Sequence, residues 1–262
     1  MARVIKYFIT LCVCFFALSL SCYASDVKFD ISNASNGIVL IDYQGTLSTQ
    51  IKVLVVKDKS RYIYTIKSRG IVTIPLQLGS GFYQIQVLEE VELDKFGVMA
   101  SVDLDIKNID EVSMFSVSNI EIDLNTGTEA LSHYTPALDL HSSIVDKVKA
   151  LYNDIVAKYK YDYSKIVPSE YTPSIDDMFK KKLGICFDYS VLFAGILRDS
   201  GISVKLVMGY SSEVEGYHAW NEIYVDGAWY VFDLTFDSVY FQAGKIVDMV
   251  KDSTKYVQVK VY

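Results

Sequence analysis

The sequence predicts an α+β chain in two halves: an antiparallel β-sandwich of immunoglobulin type, then a domain in which helices precede a second antiparallel sheet. Three observations predict it. From Val27 to about Asp123 short segments alternate between apolar and polar residues. At Ser142 the apolar spacing changes to that of a helix. After Gly201 the chain returns to strands around Asp226-Gly227, the strongest short hairpin signal.

Composition sets outer bounds. The chain has 262 residues, 51% of them hydrophobic and 22% charged. At roughly 100–200 residues per domain this allows one large or two modest domains. It excludes wholesale disorder, because enough apolar surface is present to bury. Twenty tyrosines against four prolines favour sheet over linker. Lys plus Arg is 25 against 32 Asp plus Glu, a net of -7. Without an excess of cations to displace phosphate counterions, nucleic acid is excluded as a partner.

Residues 1–24 read as a secretory signal peptide. Arg3 and Lys6 precede the uncharged stretch Tyr7–Leu20, and Cys22-Tyr23-Ala24 offers small residues before a cut. The apolar stretch falls short of the about 20 residues that a span requires, so no stable membrane span is expected after cleavage. An uncleaved anchor and lipidation at Cys22 are the alternatives. Export implies a secreted or cell-envelope location. Cleavage removes Arg3 and Lys6, taking the net charge from -7 to -9, and removes Cys12, Cys14 and Cys22. Cys186 is left alone, so no internal disulfide can form. A single leftover thiol is either a buried inert side chain or a reactive one.

Residues 25–124 form the predicted sandwich. Its strands are read at Ile38–Tyr43, Gln50–Lys57, Tyr62–Ile66, Val72–Leu78, Phe82–Glu89 and Val98–Ile106. In Tyr83–Val87 the odd positions share one face and Gln84 and Gln86 the other. Gly79-Ser80-Gly81 turns between strands, and Pro75 belongs on an edge or a bulge. With no His or Cys, this half reads as a spacer or as a binding module for a cell-surface partner. The polar run Asn125–Thr128 marks the boundary, and residues 130–262 form the second domain. His133 and His141 read as loop or cap residues, because no further His or Cys lies at ligand spacing.

In the second domain Ile144, Val148, Leu151, Ile155 and Tyr159 recur at helical steps, capped by Ser142 or Ser143. A short helix follows Ser174, with Asp177 three positions on, and Gly184 ends it or the turn after it. A third helix runs from Cys186 to about Asp199, with Leu192, Ile196 and Leu197 inward. Strands follow at Val204–Tyr210, His218–Val225 and Trp229–Asp233. The tail Lys255–Tyr262 alternates like a closing strand, whose partner is not readable.

Cys186 opens its helix. Unpaired backbone N–H groups and the positive end of the dipole favour thiolate over thiol there. A nucleophilic cysteine needs a base, and histidine is the usual one. If Asp226-Gly227 are the two loop residues, Val225 faces Ala228, His218 faces Thr235 and Trp220 faces Asp233. These four residues then share a sheet face. His218 and Asp233 become diagonal neighbours, roughly 7–8 Å apart, which suits a carboxylate that orients an imidazole. A slip of one residue would separate them.

The stretch Gly184–Tyr210, GICFDYSVLFAGILRDSGISVKLVMGY, followed by His218–Asp237, HAWNEIYVDGAWYVFDLTFD, resembles the transglutaminase-like superfamily over roughly Ser142–Asp237. The resemblance implies a papain-type fold, with the helix-start cysteine packed on an antiparallel sheet, and a Cys-His-Asp triad at Cys186, His218 and Asp233. It also implies that Asp188, Tyr189, Trp220, Asn221 and Thr235 are packing or supporting groups. Bacterial members usually carry Asp-Pro-Thr where this chain has Asp233-Leu234-Thr235. For the oxyanion, the Cys186 backbone N–H is one donor, and Tyr161, Tyr163 and Tyr171 are candidates for another.

Such a site performs acyl transfer on protein or peptide amides. Water as acceptor makes a peptidase or amidase, an amine a transglutaminase, and the motif does not separate them. Cell-surface protein or wall-derived peptide is the expected substrate class. The competing class is a non-catalytic binding or assembly module that retains the fold. No cofactor is implied. No metal motif is present, since adjacent acids such as Asp176 and Asp177 point different ways on a helix.

Overall fold

Alternating apolar residues bury one face of each strand, and the first hundred residues do this repeatedly. A computed structural model describes residues 26–168 and 170–262. The proposed signal segment and its three cysteines lie outside the described residues. Two compact units result. One runs to Ile74 and includes Leu78–Ile109; the other comprises Pro75–Gln77 and Asp110–Tyr262. The dividing point lies upstream of the polar 125–128 run. Ile122 explains this, because it is fully buried in the core of the second unit.

The first unit holds a three-stranded sheet, β1 (Val27–Asp30), β2 (Ile38–Tyr43) and β5 (Gly70–Pro75), in the order β1-β2-β5. Its other sheet is antiparallel, built from β3 (Ile51–Lys57), β4 (Ser60–Ile66), β6 (Gly81–Glu92) and β7 (Lys95–Ile106), in the order β4-β3-β6-β7. Ile51, Val53 and Val55 are buried, as are Tyr83, Ile85 and Val87, as the alternation predicts. Pro75 closes β5, which ends its sheet and therefore has an edge that needs no donor. β1 and its pairing with β2 escaped the sequence reading.

The second unit begins with a helix not anticipated from sequence, α1 (Thr128–Leu138), which contains Pro136. The proline obscured its pattern; standing near the C-terminal end, it removes the N–H that would donate to the Ser132 carbonyl. His133 is therefore helical rather than a loop residue, and its ring packs on Tyr134 and Phe179. α2 (Ile144–Lys158) is capped by the Ser143 hydroxyl, which accepts from the Asp146 N–H. It buries Val148, Leu151 and Ile155, but Ile144 is 43% exposed because the first turn projects beyond the core.

β8 (Lys160–Tyr161) pairs in parallel with β9 (Leu183–Gly184), and α3 (Ile175–Lys181) lies between them in sequence. Ser174 caps α3. Lys182, in the left-handed conformation, ends it, so Gly184 does not serve that turn. Gly184 is required for space instead. A Cβ there would lie 2.7 Å from the Met178 sulfur and 2.8 Å from Asp188.

α4 (Cys186–Asp199) is buried along its length from Asp188 to Arg198. It packs on an antiparallel sheet of β10 (Val204–Ser211), β11 (Val214–Val225), β12 (Ala228–Phe232) and β13 (Tyr256–Val261), in the order β12-β11-β10-β13. The tail thus closes the second unit's own sheet. Asp226 and Gly227 both take positive φ, and Val225 pairs with Ala228 as predicted. The return strand stops at Phe232, one residue earlier than expected. The chain turns there into α5 (Leu234–Gln242), whose N-cap is Asp233.

β13 reaches its place through Gly209, which pairs with His218 on one side and Gln258 on the other. A Cβ on Gly209 would lie 2.0 Å from the Val257 carbonyl oxygen and 3.0 Å from the Trp220 ring. Backbone cannot step aside as a side-chain end can. Gly209→Ala is therefore expected to cost about 2 kcal/mol or more, by forcing β13 off β10, as read by urea denaturation.

Candidate active site

Three elements meet at the site. The start of α4 brings Cys186, β11 brings His218, and the cap of α5 brings Asp233. His218 is 4% exposed and Asp233 1%, while Cys186 is half-buried. Nε2 of His218 lies 2.8 Å from Asp233 Oδ2. The Cys186 side chain is the imidazole's other hydrogen-bond partner.

Burial works against a charged imidazole. The Asp233 carboxylate and the Cys186 side chain outweigh it, by hydrogen bond and by charge, and the His218 pKa is pushed up to about 10. Asp233 in turn accepts at Oδ1 from the Phe236 N–H at the head of α5, and at Oδ2 from the Tyr256 hydroxyl at 3.1 Å. It thus reaches His218 as a helix cap rather than as a strand neighbour, which corrects the expected geometry. Thr235 is accordingly on a helix and not opposite His218 on a strand.

The other signature residues support this arrangement from below. Asn221 Nδ2 donates to the carbonyls of Ser190 and Lys205, tying α4 to the sheet. Trp220 stacks by His218 and against Tyr256. The Tyr189 hydroxyl meets Ser238 at 3.1 Å. Asp188 accepts from the Ile185 N–H at 2.8 Å and pairs with Lys165 at 2.6 Å, fixing the turn before Cys186.

The three tyrosines part company. Tyr161 on β8 is paired beside Gly184, and burial followed by the charge of Cys186 pushes its phenol up. Tyr163 is 81% exposed, with its ring 4.8 Å from that of Tyr161. The Tyr171 hydroxyl is committed to Asp188. Of the three, Tyr161 is the one whose phenol responds to the Cys186 charge.

Two groups near the site were missed from sequence. Tyr256 opens the tail strand, whose alternation was visible while its partner was not. Asp237 lies one helical turn after Asp233, fully buried, and accepts from Tyr152 at 2.7 Å and from Lys251. Burial, aided by the Asp233 charge and opposed by Lys251 and Tyr152, raises it to about 6. Reading Asp233 as a helix cap would have signalled the spacing. Among the described residues no three His, Cys, Asp or Glu side chains gather to hold a metal ion. None of the described helices is long and apolar enough to cross a membrane.

Residues 133–234 match the transglutaminase-like superfamily. Solved structures similar to the chain include a candidate cysteine protease from Cytophaga hutchinsonii, at 15% identity and TM-score 0.47, covering 86% of this chain and 75% of that one. Another is the periplasmic domain of TgpA from Pseudomonas aeruginosa, bound to ethylmercury, at 14% identity and TM-score 0.40, covering 84% and 94%. A third is red sea bream transglutaminase, at 12% identity and TM-score 0.29, covering 75% and 47%. No curated protein matches the chain.

The raised imidazole links stability to pH. Folding takes up a proton wherever the folded pKa exceeds the ordinary one, so the stabilisation is complete below 6.5 and is lost as pH rises through about 10. Urea midpoints are expected to fall across that window, and less steeply in His218→Gln. Tyr256→Phe removes a donor from a buried carboxylate and is expected to cost about 1.5–3 kcal/mol in the same assay.

Proposed function

We propose that the transglutaminase-like unit performs cysteine-dependent acyl transfer on protein or peptide amides. The observation that carries this reading is the buried His218, held by Asp233 at 2.8 Å and raised in pKa by Asp233 and Cys186 together. A charged imidazole beside the thiol favours an imidazolium–thiolate pair. The thiolate attacks the amide carbonyl carbon, and the electron pair moves to the carbonyl oxygen. The Cys186 N–H at the head of α4 and the Tyr161 hydroxyl receive the oxyanion. Collapse expels the amine, which takes its proton from His218, and leaves a thioester on Cys186. A water or an amine then gives a proton to His218, attacks the thioester and releases the acyl group.

Asp233 fixes the imidazole's tautomer and its charge, and Asp188, Tyr189, Trp220 and Asn221 hold the elements that carry the triad. The charged start and apolar stretch of residues 1–24 support action at the cell envelope, on surface protein or wall-derived peptide. The first unit serves as a binding module for a partner there.

Iodoacetamide is expected to add once to native protein, at Cys186, with a rate roughly tenfold lower in His218→Ala. Incubation with a peptide mixture, with and without a primary amine, and product masses then identify the acceptor. Cys186→Ala is expected to give no product; retained activity in that variant would sink the proposal.

A further inference from the structure

Alternation buries one face of the β4-β3-β6-β7 sheet, and an antiparallel sheet of this kind ordinarily turns polar residues outward on the other. Here it does not. On the opposite face Leu54, Val56 and Leu88 are half-buried, while Ile63, Phe82 and Val98 are exposed. Leu54 pairs with Ile63, Leu88 pairs with Val98, and Leu54 is diagonal to Leu88. Apolar side chains thus run across all four strands. A joined apolar patch on an outer face marks a docking surface, where single scattered exposures would not.

Charge identifies the occupant. One row across the sheet reads Arg61, Val56, Gln84, Asp103, from β4 to β7. A cation stands at one end and an anion at the other, about 14 Å apart, too far to pair within one copy. Gln84 donates to Asp103 at 3.3 Å but, being neutral, leaves the charge in place. A two-fold axis parallel to the strands, between β3 and β6, turns this row over upon itself. β4 of one copy then lies over β7 of the other, and Arg61 meets Asp103 twice. A two-fold across the strands would set β4 over β4, like charge near like.

We propose that this face docks on the same face of a second copy of the chain, across the two-fold parallel to the strands, with Arg61 of each copy paired to Asp103 of the other. Aligned sheets pack at about 30°, which such an axis accommodates. The proposal is independent of the chemistry of Cys186. The face is small. β3 and β4 have seven residues each, and at about 3.4 Å per residue and about 4.8 Å between strands the sheet spans roughly 20 by 24 Å. That is the low end for a specific interface, so a dissociation constant on the order of 10 µM is expected.

Analytical ultracentrifugation of the chain from Ser25 onward, at about 1–300 µM to bracket that value, is expected to show monomer giving way to dimer. Nothing larger is expected, because a two-fold closes on itself. Arg61→Asp and Asp103→Arg each bring like charges together twice, and each is expected to weaken the dimer about tenfold or more. An equimolar mixture of the two variants restores opposite charges at both contacts and is expected to dimerise as strongly as the wild type. No role of either residue within one copy gives that recovery. Wild-type protein that stays monomeric overturns the proposal and leaves the face to a partner of another kind. Growth beyond a dimer overturns it too, as does either variant that dimerises like the wild type. A mixture that associates no better than its components also overturns it, since the two residues then do not meet across the axis.

Discussion

The contact between His218 and Asp233 is the constraint around which the second unit is arranged. Both groups are out of water, so each is costly unless the other is held in place. The fold holds them from three directions. β11 fixes the imidazole, the head of α5 fixes one carboxylate oxygen through Phe236, and β13 supplies the Tyr256 hydroxyl to the other. Gly209 belongs to the same constraint, since β13 comes close enough only where no Cβ intervenes.

Charge near the site is balanced locally. Asp233 and Asp237 are buried one helical turn apart, and each would repel the other if both were bare anions. Asp233 is answered by His218, and Asp237 by Lys251 and Tyr152. Removing one member from such a set leaves an unpaired buried charge, which is why the loss exceeds the worth of any single contact. The Cys186 end is built differently. Its helix start is half-exposed, and Asp188 steadies the turn before it through the Ile185 N–H and Lys165. The pair is thus buried while the thiol is partly exposed.

Much of the site was legible because its signals are local. Asp226-Gly227 admits one tight turn, and that turn set the register from Val225 and Ala228 to Asn221 and Phe232. A lone cysteine after Gly184-Ile185 marked a helix start. Where the reading went astray, a long-range contact decided the outcome. The strand was carried through Asp233, although that residue is a helix cap. Gly184 was taken as a turn former, although Met178 and Asp188 leave no space for a side chain. Tyr161, Tyr163 and Tyr171 could not be told apart until β8 paired with β9 and Asp188 engaged Tyr171.

The sequence by itself determined the α+β class, the change from period two to helical spacing and the hairpin. These follow from turn chemistry and periodicity, which act between near neighbours. Tertiary structure alone decided that β13 closes this sheet beside β10 and that Tyr256 reaches Asp233. It also decided that Asp237 is buried with Lys251. Each of those depends on which distant segments exclude water from the same volume, and no local pattern encodes that.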